Sequence, residues 1–343
     1  MVSAPRGVLV DLSAPLTVNW TLSYACNFSC RHCYSRGHTR EELPLLRVLD
    51  LVDELARSRV AFVNFGGGEP LLYPHLLAVA RRATVSGLRV TMNTNGWLVD
   101  AAAARELRAA GFHSVGVSLD GPTPEIHDRF RDRPGSFQRA LGALDALREA
   151  QVPTTVSTVV FRGNAPDYQK VVELAADHGA ETVYLHNFKC SGRGMENRGE
   201  LDLEPWEWRD FYEGALAYRA GAPATLAFDD PILALLGASG PGAVKGSTCG
   251  KLSLHLEPDG EATPCGFLPV YLGNVLETGL RELWRDSPVL RAMRHKTPQG
   301  KCRSCASYGD CLGGCTARAF AVSGSFDAPD PHCWREDGCP RSS

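Results

Sequence analysis

Cys26, Cys30 and Cys33, spaced C-x3-C-x2-C with Tyr34 directly after them, are the first residues in this chain whose type and spacing point to chemistry. Thiols this close in sequence cannot staple a long loop as disulfides do. They suit a metal centre, because soft thiolate sulfur favours iron–sulfur clusters and zinc. Three thiolates on a four-iron cubane leave one iron without a protein ligand and free to bind a small molecule. A zinc knuckle or three separate buried thiols are the other readings of the same spacing.

Cysteines return near the end of the sequence. Cys249 precedes a hairpin pattern that turns at Pro258-Asp259-Gly260, and Cys265 follows it. Then come Cys302, Cys305, Cys311 and Cys315, spaced C-x2-C-x5-C-x3-C, and finally Cys333. Such pairs suit further iron–sulfur clusters or a zinc ribbon. Cys190 and Cys339 belong to neither set. Twelve cysteines without a secretion signal argue for metal or redox use in a reducing cytoplasm rather than a disulfide framework.

Composition narrows the partners. The net charge is -3 with no basic block, so nothing calls for a nucleic acid or an anionic membrane surface. No apolar run is long enough to span a bilayer. At 44% hydrophobic residues the chain can bury a large core.

The cysteines need elements to position them. Strand patterns at 16–22, 60–65, 88–92, 114–119, 154–161 and 182–186 alternate with helical patterns at 45–57, 74–86, 101–110, 137–150 and 167–178. Six such units predict an α/β fold, a parallel sheet curled into a partial (β/α)6 barrel with helices outside. Active sites in such sheets lie at the C-terminal strand ends, and Cys26 follows the first strand. The expected organisation is a core at 1–187, a linker with helices at 188–248 and a cysteine-rich domain at 249–343. Trp206 and Trp208, in the linker, are expected to pack rather than stack on a ligand.

Three strand-end turns complete the pattern. Gly66-Gly67-Gly68-Glu69-Pro70 follows the second strand, and its glycines let the backbone approach a ligand closely. Thr94-Asn95-Gly96 follows the third strand, and Ser118-Leu119-Asp120-Gly121 closes the fourth. His127-Asp128-Arg129 stands out beside them without an evident role.

On the cysteine triplet and these turns, the sequence resembles the radical S-adenosylmethionine (SAM) superfamily. Its C-terminal cysteines resemble the seven-cysteine SPASM pattern, with Gly260 as the required glycine. The similarity is nearest to the mycofactocin-type peptide maturases and the haem-pathway (haem b and d1) radical SAM enzymes. It is carried by the stretches 64–70, 191–194, 302–320 and 330–333. The resemblance implies that Cys26, Cys30 and Cys33 hold a [4Fe–4S] cluster whose open iron binds SAM. Gly66, Gly67, Gly68 and Glu69 would contact the methionine amino group, and Asn95 and Ser118 the ribose or methionyl part. Cys302, Cys305, Cys311 and Cys333 would hold a distal auxiliary cluster, and Cys249, Cys265 and Cys315 a nearer one. The cysteine that often precedes Cys249 in relatives is absent here. An Asp follows the cysteine after the hairpin in anaerobic sulfatase maturases, whereas Gly266 stands here.

The activity implied is hydrogen abstraction by a 5'-deoxyadenosyl radical, followed by loss of an electron, a proton or carbon dioxide. Oxidative modification of a ribosomal peptide, by decarboxylation or crosslinking, is the first expectation. Decarboxylation or epimerisation of a sugar, nucleoside or tetrapyrrole intermediate is the second. A molybdenum-cofactor cyclase and an iron–sulfur electron-transfer protein without catalysis are further alternatives. A flavodoxin or ferredoxin with its reductase would donate electrons, and peptide work would need a separate peptide-recognition protein. Cys190, after the sixth strand, is read in three ways: an inert thiol, the missing ligand of the nearer cluster, or a hydrogen-atom donor.

Overall fold

The computed structural model describes residues 12–238 and 245–336; Cys339 lies outside them. Strands β1 (Thr17–Thr21), β2 (Phe62–Gly66), β3 (Arg89–Thr94), β4 (Ser114–Ser118), β5 (Thr154–Val159) and β6 (Thr182–His186) pair in parallel in chain order. Between them run α1 (Leu45–Arg57), α2 (Leu76–Val85), α3 (Ala101–Ala110), α4 (Pro124–Arg131), α5 (Ser136–Glu149) and α6 (Tyr168–Asp177).

The local causes are plain. Helix α1 buries Val48, Leu51, Val52 and Leu55, one stripe at helical spacing. Asp100 caps α3 by accepting from the Ala103 amide at 2.8 Å, and Gly111, at φ +84°, ends it. Each strand turns one set of alternate residues to the helices. Val18, Val63, Val90, Val117, Val156 and Val183 are 1% exposed or less.

The other set faces the inner side of the sheet and carries many polar side chains, with Phe62, Val159 and Ala227 among them. Asn64 donates to Asn19 at 3.3 Å, Thr91 to Asn64 at 3.0 Å, and Ser157 to Asn93 at 3.3 Å. An α/β partial barrel with a hydrogen-bonding inner face is the result.

The sheet continues beyond these six strands. β7 (Thr225–Phe228) pairs in parallel with β6, inside the stretch expected to hold a linker with helices. At four residues, between Pro223 and Pro231, it is too short to show a period. The helix Pro205–Tyr218 precedes it; Trp208 is fully buried there, whereas Trp206 is 62% exposed and does not pack. On the opposite side β8 (Ser253–Leu256) pairs in parallel with β1. β9 (Glu261–Thr263) and β10 (Gly273–Asn274) add antiparallel, so β7 and β10 are the two edges. No helix of the described residues is long and apolar enough to cross a membrane.

Candidate metal centres

The loop after β1 carries Cys26, Cys30 and Cys33 and is held from two sides. Cys33 N donates to Cys30 O at 3.2 Å, a tight turn within the triplet. Arg193 N donates to Cys33 O at 3.0 Å, and its guanidinium reaches the carbonyls of Ser29 and Cys30. Asn197 Nδ2 donates to Arg31 O at 2.9 Å. Gly192 is required here, because a Cβ at that position would lie 2.7 Å from the carbonyl oxygens of both Cys33 and Tyr34. The stretch 191–194 therefore acts as a brace for the cysteine loop.

From the other side comes α4. Phe130 O accepts from Arg31 N at 3.0 Å, and the Phe130 ring stacks on His32 at 4.2 Å and on Phe161 at 4.0 Å. Burial pushes the Cys30 thiol up to about 12, opposed by Arg131; burial also raises Cys26. A metal would have to displace the protons of these thiols on binding.

The glycine turn after β2 lies against the same loop. A Cβ on Gly68 would sit 2.2 Å from Ala25 O, and one on Gly67 2.3 Å from the Thr21 side chain. Gly66 has open space around it. Glu69 is 2% exposed, and its carboxylate accepts from Thr94 Oγ1 at 2.7 Å, Asn95 N at 2.8 Å and Leu71 N at 3.2 Å. Its bonds thus tie the turn after β2 to the turn after β3. Asn95 Nδ2 reaches Asn27 Oδ1 at 2.8 Å, inside the cysteine loop. Ser118 ends β4, half-buried, opposite Ser157.

The later cysteines form two groups. Cys249 and Cys265 hydrogen-bond to each other, which holds the Cys249 thiol down and raises that of Cys265. Cys315 acts on Cys265 from nearby, and Lys189 Nζ lies 3.7 Å from Cys315 Sγ. This triad sits between the first cysteine loop and the end of β6: Tyr34 rests on Phe267 at 4.6 Å, and Lys189 follows β6. Cys302, Cys305, Cys311 and Cys333 line one cavity with Ile232 and Tyr308. Burial raises the Cys302 thiol to about 11, with Cys311, Cys333 and Cys305 adding to it.

All eleven cysteines among the described residues are free thiols. Grouped thiols without disulfides fit iron–sulfur clusters at all three places. The four-thiol group taken alone would also fit zinc.

Cys190 joins none of these groups. It is 2% exposed and donates to Asp202 Oδ2 at 3.5 Å; His332 Nε2 lies 3.0 Å from the same oxygen. Trp208 Nε1 donates to Asp202 Oδ1 at 3.2 Å and stacks on His332. Sequence reasoning missed Asp202, Lys189 and Arg131, which have no spacing signal and gain meaning only from the folded contacts, and it named Asp120 only as part of the turn that closes the fourth strand.

Comparison with known proteins agrees with this geometry. Residues 20–175 match the radical SAM superfamily model, and 248–306 match the SPASM iron–sulfur cluster-binding domain. The chain is 33% identical to an AdoMet-dependent heme synthase of Methanosarcina barkeri, covering 94% of this chain and 97% of that protein. It is equally 33% identical to the mycofactocin maturase MftC of Mycolicibacterium smegmatis, covering 96% of this chain and 85% of that protein. SuiB of Streptococcus suis, solved with bound SAM, superposes with a TM-score of 0.77 at 17% identity, over 95% of this chain and 77% of SuiB. The chain therefore belongs to the radical SAM superfamily, as a SPASM-bearing enzyme that uses a [4Fe–4S] cluster, SAM and auxiliary iron–sulfur clusters.

Proposed function

We propose that this enzyme oxidatively modifies a ribosomal peptide, by decarboxylation or crosslinking, in natural-product biosynthesis. The observation that carries the reading is the inner face of the sheet. Asn19, Asn64, Thr91, Asn93 and Ser157 present neutral amides and hydroxyls, the groups that complement a peptide backbone. Of the inward positions on β1 to β7, only Arg89 carries a guanidinium or ammonium group, and its guanidinium lies over the Phe62 ring. A tetrapyrrole bearing several carboxylates calls for more cations than that.

Cys26, Cys30 and Cys33 would hold the cluster, and the turn Gly66–Gly68 would leave backbone room for SAM beside it. When bound, that cluster supplies an electron that cleaves SAM and yields the 5'-deoxyadenosyl radical. Asn95 and Ser118 would orient SAM from the ends of β3 and β4. Cys249, Cys265 and Cys315 would hold the nearer auxiliary cluster, with three thiols for four irons. Cys302, Cys305, Cys311 and Cys333 would hold the distal one. Lys189 would place a cation between the nearer cluster and the inner face.

A small carboxylate-bearing substrate is the second reading. Lys189 favours it, as does the similarity to a heme synthase over nearly the whole chain. The two readings separate with reconstituted enzyme, SAM and dithionite. The substrates are short precursor peptides encoded beside the gene, run in parallel with porphyrin, sugar and nucleoside carboxylates. Mass spectrometry should find a peptide that has lost carbon dioxide or hydrogen. Turnover confined to the small molecules would reject the peptide reading.

A further inference from the structure

Helix α4 does more than brace the first cysteine loop. Arg131, 8% exposed, points Nη1 at Cys30 Sγ, 4.0 Å away, and pairs its Nε with Asp120 Oδ2. Asp120 cannot swing away. It is fully buried, its Oδ1 accepts from Val159 N at 2.8 Å, and its backbone N donates to His127 Nδ1 at 3.0 Å. Asn164 Nδ2 closes the set by donating to Asp120 O at 2.8 Å. The Phe130 stack on His32 fixes the helix end against the loop. The ion pair is therefore locked with its positive end toward the sulfur and its negative end toward β5.

We propose that the Asp120–Arg131 pair sets the reduction potential of the cluster held by Cys26, Cys30 and Cys33, with Arg131 as the tuning residue. The potential of an iron–sulfur cluster depends on its net charge, hydrogen bonds to its sulfurs and its exposure to solvent. Reduction adds one electron and makes the centre more negative. A fixed guanidinium beside a ligating sulfur stabilises that added charge, most strongly where water is excluded. The electron comes from an external donor of the flavodoxin or ferredoxin class, or from dithionite in vitro. No bond forms or breaks at Arg131. This inference rests on the cluster ligands alone and is independent of which substrate the enzyme takes.

The test uses the full chain with its clusters reconstituted. Redox titration is followed by electron paramagnetic resonance, reading the signal that changes when SAM is added. Arg131→Met should hold the electron about tenfold less tightly, a fall of about 59 mV for a one-electron couple. The double variant Asp120→Asn with Arg131→Met removes both buried charges, so its potential should fall in the same direction but by less than that of Arg131→Met alone, which leaves Asp120 uncompensated. Arg131→Lys keeps the charge and should lie near wild type. SAM cleavage by Arg131→Met should slow with a weak donor and recover with excess dithionite. Full iron with an unchanged potential in Arg131→Met or the double variant would overturn the proposal. So would Arg131→Lys falling as far as Arg131→Met. Loss of the first cluster from all three variants would overturn it too, because a structural brace, not a charge, would then be at work.

Discussion

Cys190 illustrates how neighbours decide a side chain's role. Its position after β6 leaves it open as ligand, hydrogen-atom donor or inert thiol, yet the fold turns it into a buried contact with Asp202. Asp202 keeps its bonds from Trp208, His332 and Leu203 N when the thiol is removed. Cys190→Ala should therefore cost about 1–2 kcal/mol by denaturant titration, with iron content and SAM cleavage unchanged. Altered auxiliary-cluster spectra would instead make it a ligand. Gly68 is less forgiving. Its added Cβ would meet Ala25 O at 2.2 Å, so Gly68→Ala must push the turn off the cysteine loop. SAM binding, followed by its effect on the reduced-cluster spectrum, should weaken at least tenfold.

At the scale of elements, two clamps hold the site. Asp128 accepts from Gly135 N at 2.7 Å, Ser136 Oγ at 2.8 Å and Phe137 N at 2.7 Å, fastening the start of α5 to α4. Asp128→Ala strands those donors and should cost about 2 kcal/mol in chemical denaturation. The second clamp is buried. Arg318, on the helix Thr316–Ser323 beside Cys315, bridges Asp230 beyond β7 and Asp330 before Cys333. Both contacts lie at 0–1% side-chain exposure. Arg318→Met leaves two buried carboxylates without their cation, which should cost about 3–5 kcal/mol. The loss should appear as a lower Tm and a reduced iron content in the C-terminal clusters.

Over the whole molecule, stability is unevenly shared. The parallel strands β1 to β7 rest on apolar helices, whereas the described residues after β10 form short helices and loops that carry the last five cysteines of the described chain, Cys302, Cys305, Cys311, Cys315 and Cys333. Three four-iron clusters predict about twelve irons per chain after anaerobic reconstitution. Removing them with a chelator should leave β1 to β6 protected in hydrogen exchange and expose 298–336. Uniform loss of protection would show that the core also depends on metal.

The sequence alone determined the chemistry and most of the scaffold. Cysteine spacing is a local property, and so is the alternation of strand and helix patterns; residues 182–186 and 101–110 were legible to the residue. Helix α4 was not expected as an element, although His127-Asp128-Arg129 stood out. Four of its eight residues, Glu125, Asp128, Arg129 and Arg131, are charged, with few apolar positions to mark a period. Tertiary structure alone decided the rest. It set β7 beside β6, paired β8 with β1, and turned Glu69 onto Thr94 and Asn95. It also pointed Arg131 at Cys30, 101 residues away in the chain. Contacts at such separations depend on how the sheet and its crossovers stack, and no local pattern encodes them.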